Sequence, residues 1–99
     1  MDLGMIKQAM EMRSKLEKAQ KELAKKTVEV EKGSIKVVAN GQLRILSIKI
    51  DPSVINPQKN SDLEKLVLKA INAALDDAQN MASKELNQIT GGLKIPGLT

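Results

Sequence analysis

The sequence predicts an α+β fold: a three-stranded antiparallel sheet flanked by a long N-terminal helix and a long C-terminal helix, dimeric with projecting helical arms. Three observations carry that expectation. Residues 3–26 hold an apolar seam at helical spacing, residues 27–50 alternate apolar and polar side chains around two turn signals, and residues 61–89 return to helical spacing. With 99 residues the chain is expected to make one domain, 1–99. Chains this small bury a modest share of their surface and often gain stability by associating.

In the first helix Met5, Ala9, Met12, Leu16, Ala19 and Leu23 recur at alternating spacings of four and three, a heptad seam. Leu3, Ile6 and Met10 broaden the seam near its start, while Lys7, Ser14, Lys18, Lys21 and Lys25 fall on the opposite side. A first strand follows over 27–31 (TVEVE), broken by Gly33-Ser34, and a second over 35–39. Asn40-Gly41 then reads as a tight hairpin turn with positive φ at both residues, leading to a third strand over 42–50. That strand poses a problem, because Leu43 and Ile45 fall on one face and Leu46, Ile48 and Ile50 on the other. Either a bulge lies near 44–46 or both faces are partly covered; the second is favoured, since a dimer partner can supply the second cover.

Asp51-Pro52 ends the strand, because proline has no N–H for the ladder. Ser61-Asp62-Leu63-Glu64 fits a capping box and sets the start of the second helix. Its apolar face comprises Leu63, Leu66, Val67, Ala70, Ile71, Ala74, Ala78 and Met81, and Gly91-Gly92 is expected to end it before a short tail from Leu93. At 1.5 Å per residue the helices span about 35 and about 43 Å. A three-stranded sheet is only about 15 Å wide. The helices must therefore overhang it as arms or pack on a second copy, and a homodimer is expected.

The net charge is +4. Residues 7–26 carry seven cations (Lys7, Arg13, Lys15, Lys18, Lys21, Lys25, Lys26) against Glu11, Glu17 and Glu22, which equals the whole excess. From Ser61 onward acids outnumber bases by one. A polyanion would meet the first helix first.

No His and no Cys are present, which removes the commonest general base, the thiol nucleophile and the usual zinc ligands. No glycine-rich loop opens a helix after a strand. Ser14 with Lys18 reads as a solvated stripe, Asp76-Asp77 as surface acids, and Asp51 as an acceptor for turn amides. No enzyme, cofactor, metal or small-molecule ligand is implied. No apolar run reaches membrane-spanning length, and MDLGMIKQAM lacks the pattern of a secretory leader, so a cytoplasmic protein away from the membrane is expected. The absence of Phe, Tyr and Trp removes the stacking platforms of single-strand readers. A duplex backbone binder remains. Arg13 and Arg44 are the only arginines, so base-specific readout should be weak and lysine charge should dominate.

The basic first helix (MIKQAMEMRSKLEKAQKEL), the core NGQLRILSIKIDPSVI, the capped SDLEKLVLKAINAAL and the closing TGGLKIPGL, in this order, resemble the YbaB/EbfC family of bacterial nucleoid-associated proteins. The resemblance implies a homodimer with tweezer-like helical arms. It also implies binding of double-stranded DNA in the nucleoid, altered DNA conformation and an influence on nucleoid organisation and gene expression. Carried onto this chain it implies phosphate contacts from Arg13, Lys18, Lys21, Lys25 and Lys26, with Lys15 weaker and Arg44 and Lys49 as possible assistants. The alternative is a prefoldin-like chaperone or protein-interaction adaptor that uses its helical arms and methionines to hold a client.

Overall fold

The computed structural model describes residues 3–90. The chain runs α1 (Leu3–Lys25), β1 (Thr27–Lys32), β2 (Ile35–Asn40), β3 (Ile45–Ile50), two single-turn 3₁₀ segments (Pro52–Val54 and Pro57–Lys59) and α2 (Asn60–Thr90). The strands form one antiparallel sheet in the order β1-β2-β3. Gly91-Gly92 and the tail from Leu93, expected to end the second helix, lie outside the described residues.

The core is thin, as a chain without aromatics requires. Ile35, Val37 and Ala39 alternate along the central strand and are fully buried, with Val30 of β1 beside them. Against them α2 sets Ala70, Ala74 and Ala78, also fully buried. A row of alanines at every fourth residue lets a helix backbone lie close on a sheet, so short aliphatic side chains suffice to fill the gap. By register Thr27, Glu29, Glu31, Lys36, Ser47 and Lys49 face the other way, and on that polar face Lys36 pairs with Glu29 at 3.3 Å.

β3 resolves the problem its sequence raised. Ile50 stands opposite Ile35, Ile48 opposite Val37, and Ile45 opposite Ala39, with a register shift between Val38 and Ala39. The ladder therefore skips Leu46. The bulge flips the phase of the strand, so that Ile45, Ile48 and Ile50 share the α2 side. The favoured expectation, two partly covered faces with Ile45 set against Ile48 and Ile50, is corrected by this register. α2 packs mainly over β1 and β2, which leaves Ile48 40% and Leu46 52% exposed.

The Asn40-Gly41 turn is also corrected. Neither residue has a positive φ; Asn40 closes β2, and the loop runs on through Gly41–Arg44 with Leu43 in the left-handed region at φ 62°. The start of α2 differs too. Ser61 lies inside the helix, which begins at Asn60 and is preceded by a 3₁₀ turn opened by Pro57. The side chain of Asn56 accepts from the Gln58 N–H at 3.0 Å, so this Asx cap, rather than the Ser61 box, leads the chain into the helix. Asp51 caps the preceding turn in the same way, accepting from the Ser53 N–H at 3.0 Å. The hydrogen bonds from Ser53, backbone first and then side chain, hold its carboxyl below the ordinary 3.8.

Among the described residues, α1 is fully buried only in its last turns. Ala19 and Leu23 are buried at 3% and 1%, whereas Leu3, Met5 and Met10 remain 80%, 69% and 67% exposed. The molecule is accordingly long and narrow, 68 × 22 × 18 Å.

Candidate nucleic-acid interface

At 100° per residue the positions 7, 14, 18, 21 and 25 lie in one row along α1, directly opposite the seam that contains Ala19 and Leu23. Burial of Ala19 and Leu23 fixes which way the helix is rolled. The lysine row therefore points away from the sheet. Lys18, Lys21 and Lys25 are all exposed, and among the described residues none has an acidic partner within ion-pair distance. From Lys7 to Lys25 the row covers about 27 Å, a little under one turn of B-form duplex, about 34 Å.

The other two expected site residues sit differently. Arg13 lies about 100° round the helix from the row. Its Nε donates to Glu17 Oε1 at 3.3 Å, with both side chains well exposed, and an exposed i,i+4 pair of this kind is worth only about 0.3–0.5 kcal/mol and exchanges readily for a phosphate. Arg13 also borders an open groove with Met12, Leu16, Gln20, Lys21 and Gln42. Lys26 follows the helix, and its Nζ meets Glu85 of α2 at 2.7 Å, with the Glu85 side chain mostly covered. It is a strut between the end of α1 and α2. The structure thus groups Lys18, Lys21 and Lys25 and sets Arg13 and Lys26 to either side. Lys15 is exposed on the flank of α1, Arg44 in the loop before β3, and Lys49 across from Lys36 on the polar face of the sheet.

What holds α1 in place was not read from the sequence. The last turn of a helix leaves carbonyls without intrahelical donors, and the usual remedy is a left-handed glycine just past the end. Here the chain passes from Lys25 through Lys26 straight into β1. The donors come instead from the end of β2 and the loop that follows it. The Gly41 N–H donates to the Leu23 carbonyl at 2.8 Å and also to the Lys26 carbonyl at 3.0 Å. Asn40 Nδ2 donates to the Ala24 carbonyl at 3.2 Å, and Gln42 Nε2 to the Gln20 carbonyl at 2.9 Å. Asn40 Oδ1 meanwhile accepts from the Gln42 and Arg44 N–H groups at 3.0 and 3.1 Å, which shapes the loop that makes these contacts. Gly41 is needed for closeness: a Cβ there would lie 2.7 Å from Leu23 Cδ2 and 2.8 Å from the Leu23 oxygen.

The arrangement offers fixed positive charge on a projecting helix, with no aromatic platform. Among the described residues no group of three or more metal-ligating side chains occurs, and no helix is long and apolar enough to cross a membrane. Charge presented in this way attracts polyanions.

Comparison with known proteins gives the chain its family. The sequence model of the YbaB/EbfC DNA-binding family matches residues 2–93, and the chain belongs to this family. It is similar to a nucleoid-associated protein of Thermoanaerobacter sp. (strain X514), 49% identical over 97 residues, which cover 96% of this chain and 87% of that relative. It is also similar to nucleoid-associated proteins of Pelotomaculum thermopropionicum and Myxococcus xanthus. Each is 44% identical over 96 residues, covering 95% of this chain and 91% of the relative.

Proposed function

We propose that this DNA-binding protein acts in the cytoplasm as a nucleoid-associated homodimer that grips duplex DNA by its phosphates. On this reading Lys18, Lys21 and Lys25 of α1 make the principal contacts, with Arg13 and Lys26 beside them. Binding then alters DNA conformation, and through it nucleoid organisation and gene expression. The observation that carries the reading is the row of exposed lysines, without an ion-pair partner among the described residues, on a helix that leaves the body of the protein. The names of the relatives, all nucleoid-associated proteins, point the same way.

The physical basis is counterion release. Each phosphate met by a lysine frees condensed cations, so affinity falls with salt at about −0.9 per contact on logarithmic axes. Lysines act here as point charges and impose little base preference. The seam of α1, with Met5 uncovered and Met12 and Leu16 only half-buried, supports the homodimer. A second copy laid on that seam leaves the lysine row free, because the two lie on opposite sides of the helix. Two arms then offer twice the contacts, which offsets the modest charge of one protomer.

The test is competition between labelled duplex and unlabelled duplex or unstructured single strand of equal length, combined with sedimentation at micromolar concentration. Duplex should compete at least as well as single strand, and the protein should sediment as a dimer. Strong preference for single strand contradicts the phosphate-row reading, and a clean monomer contradicts the dimer.

A further inference from the structure

We propose that Asn40 and Gln42 are positioning residues for DNA binding: they latch the last turn of α1 to the end of β2 and the loop that follows it, and so set the direction in which the lysine row leaves the sheet. The proposal rests on the reading of α1 as the duplex-binding element. Neither residue carries charge and neither is placed against DNA.

The argument is one of leverage. α1 is about 34 Å long, and its buried anchorage is confined to Ala19 and Leu23 near one end. Two apolar contacts close together at one end restrain translation better than they restrain angle. Beside the Lys26–Glu85 strut, direction is set by the hydrogen bonds that Asn40 at the end of β2 and Gly41 and Gln42 in the following loop make to the carbonyls of Gln20, Leu23, Ala24 and Lys26. The Asn40 side chain serves both parts of this joint, since its oxygen shapes the loop while its nitrogen holds the helix. A tilt of about 15° at the joint moves Lys7, about 24 Å along the helix from Leu23, by about 6 Å, past one phosphate step of about 3.4 Å along a strand. Lys18, Lys21 and Lys25, within about 8 Å of the joint, move by about 2 Å or less.

Asn40→Asp separates the two roles. The carboxylate still accepts from the Gln42 and Arg44 amides, but it loses the donor to Ala24 and sets a negative charge at the negative end of a helix. Gln42→Ala is the gentler variant, because that side chain is exposed and loses only its bond to Gln20. The chain has no cysteine, so spin labels at Gln8→Cys and Ser83→Cys report the α1–α2 distance by pulsed electron resonance, with labelled protein diluted into unlabelled. The expected result is a broadened or shifted distance in both variants, with retained helical circular dichroism. The salt slope of duplex binding should be lower by about one unit and the affinity about five- to tenfold weaker. Val37→Ala, which only weakens the core, should lower Tm and leave distance and slope unchanged.

Unchanged distance and slope in both variants overturns the latch. Binding that survives conversion of Lys18, Lys21 and Lys25 to Gln overturns the reading of α1 and the latch with it. Lysine dependence with an unmoved arm overturns the latch alone.

Discussion

The sheet with α2 and the projecting α1 are built from similar residues and meet opposite fates. On the sheet, Ile35, Val37 and Ala39 find Ala70, Ala74 and Ala78 within the same chain and lose all exposure. On α1, the seam from Met5 to Leu16 carries comparable apolar content and finds no such cover among the described residues, where only Ala19 and Leu23 are sealed. The body satisfies itself, whereas the arm keeps one apolar face open and the other charged. The same periodicity that predicts a helix therefore does not say whether the helix is covered. Coverage depends on where the element lies relative to a small sheet, and α1 leaves that sheet after two anchoring residues.

The largest effects should separate the two regions cleanly. Ile35→Ala removes a fully buried side chain and should cost about 2–5 kcal/mol of protomer stability, read from the denaturant midpoint by circular dichroism. Met5→Ala should change the unfolding of the protomer by less than about 0.5 kcal/mol. Instead it should weaken self-association measured by sedimentation. A large loss of protomer stability from the arm variant breaks the comparison.

Gly41→Ala addresses the seam between the regions. The added methyl meets a backbone oxygen that cannot yield without moving the helix. A cost of about 1–3 kcal/mol is expected, with disturbance concentrated at the end of α1, measurable as faster amide exchange at Leu23 to Lys26.

The smallest effect belongs to Asp51, far from the arm. Its carboxyl is held below 3.8 by the Ser53 hydrogen bonds, so the stabilisation is present at neutral pH and is lost as pH falls from about 3.8 through the lowered value. The denaturant midpoint of Asp51→Asn should therefore differ slightly from that of the parent at pH 7 and converge with it in stronger acid. A difference that grows on acidification contradicts the assignment.

Much of this was legible in the sequence. The heptad spacing of residues 5–23 marked α1, the alternation of 27–31 and 35–39 marked two strands, and the row 18, 21, 25 marked the charged face. The Arg13–Glu17 pair follows from i,i+4 spacing. What escaped depends on distant chain. Gly41 reads locally as a turn residue, yet its demand comes from Leu23, whose atoms crowd its missing side chain. The β3 bulge is visible only once Ala39 and Ile45 are paired, and Lys26 cannot be joined to Glu85 by any local rule. The start of α2 was misplaced for another reason: two polar signals compete there, and the earlier Asn56-Pro57 wins because proline presets the first helical turn.

The central claim is that the lysine row of α1 meets the phosphates of duplex DNA. Its most direct test is a titration of labelled duplex at several salt concentrations, with the parent protein and with Lys18, Lys21 and Lys25 changed together to Gln. The parent should give a log–log slope of several units, and the variant a slope shallower by about three per protomer engaged, with an unchanged circular dichroism spectrum. Equal slopes and affinities for the two proteins would contradict the account and move the interface off this helix.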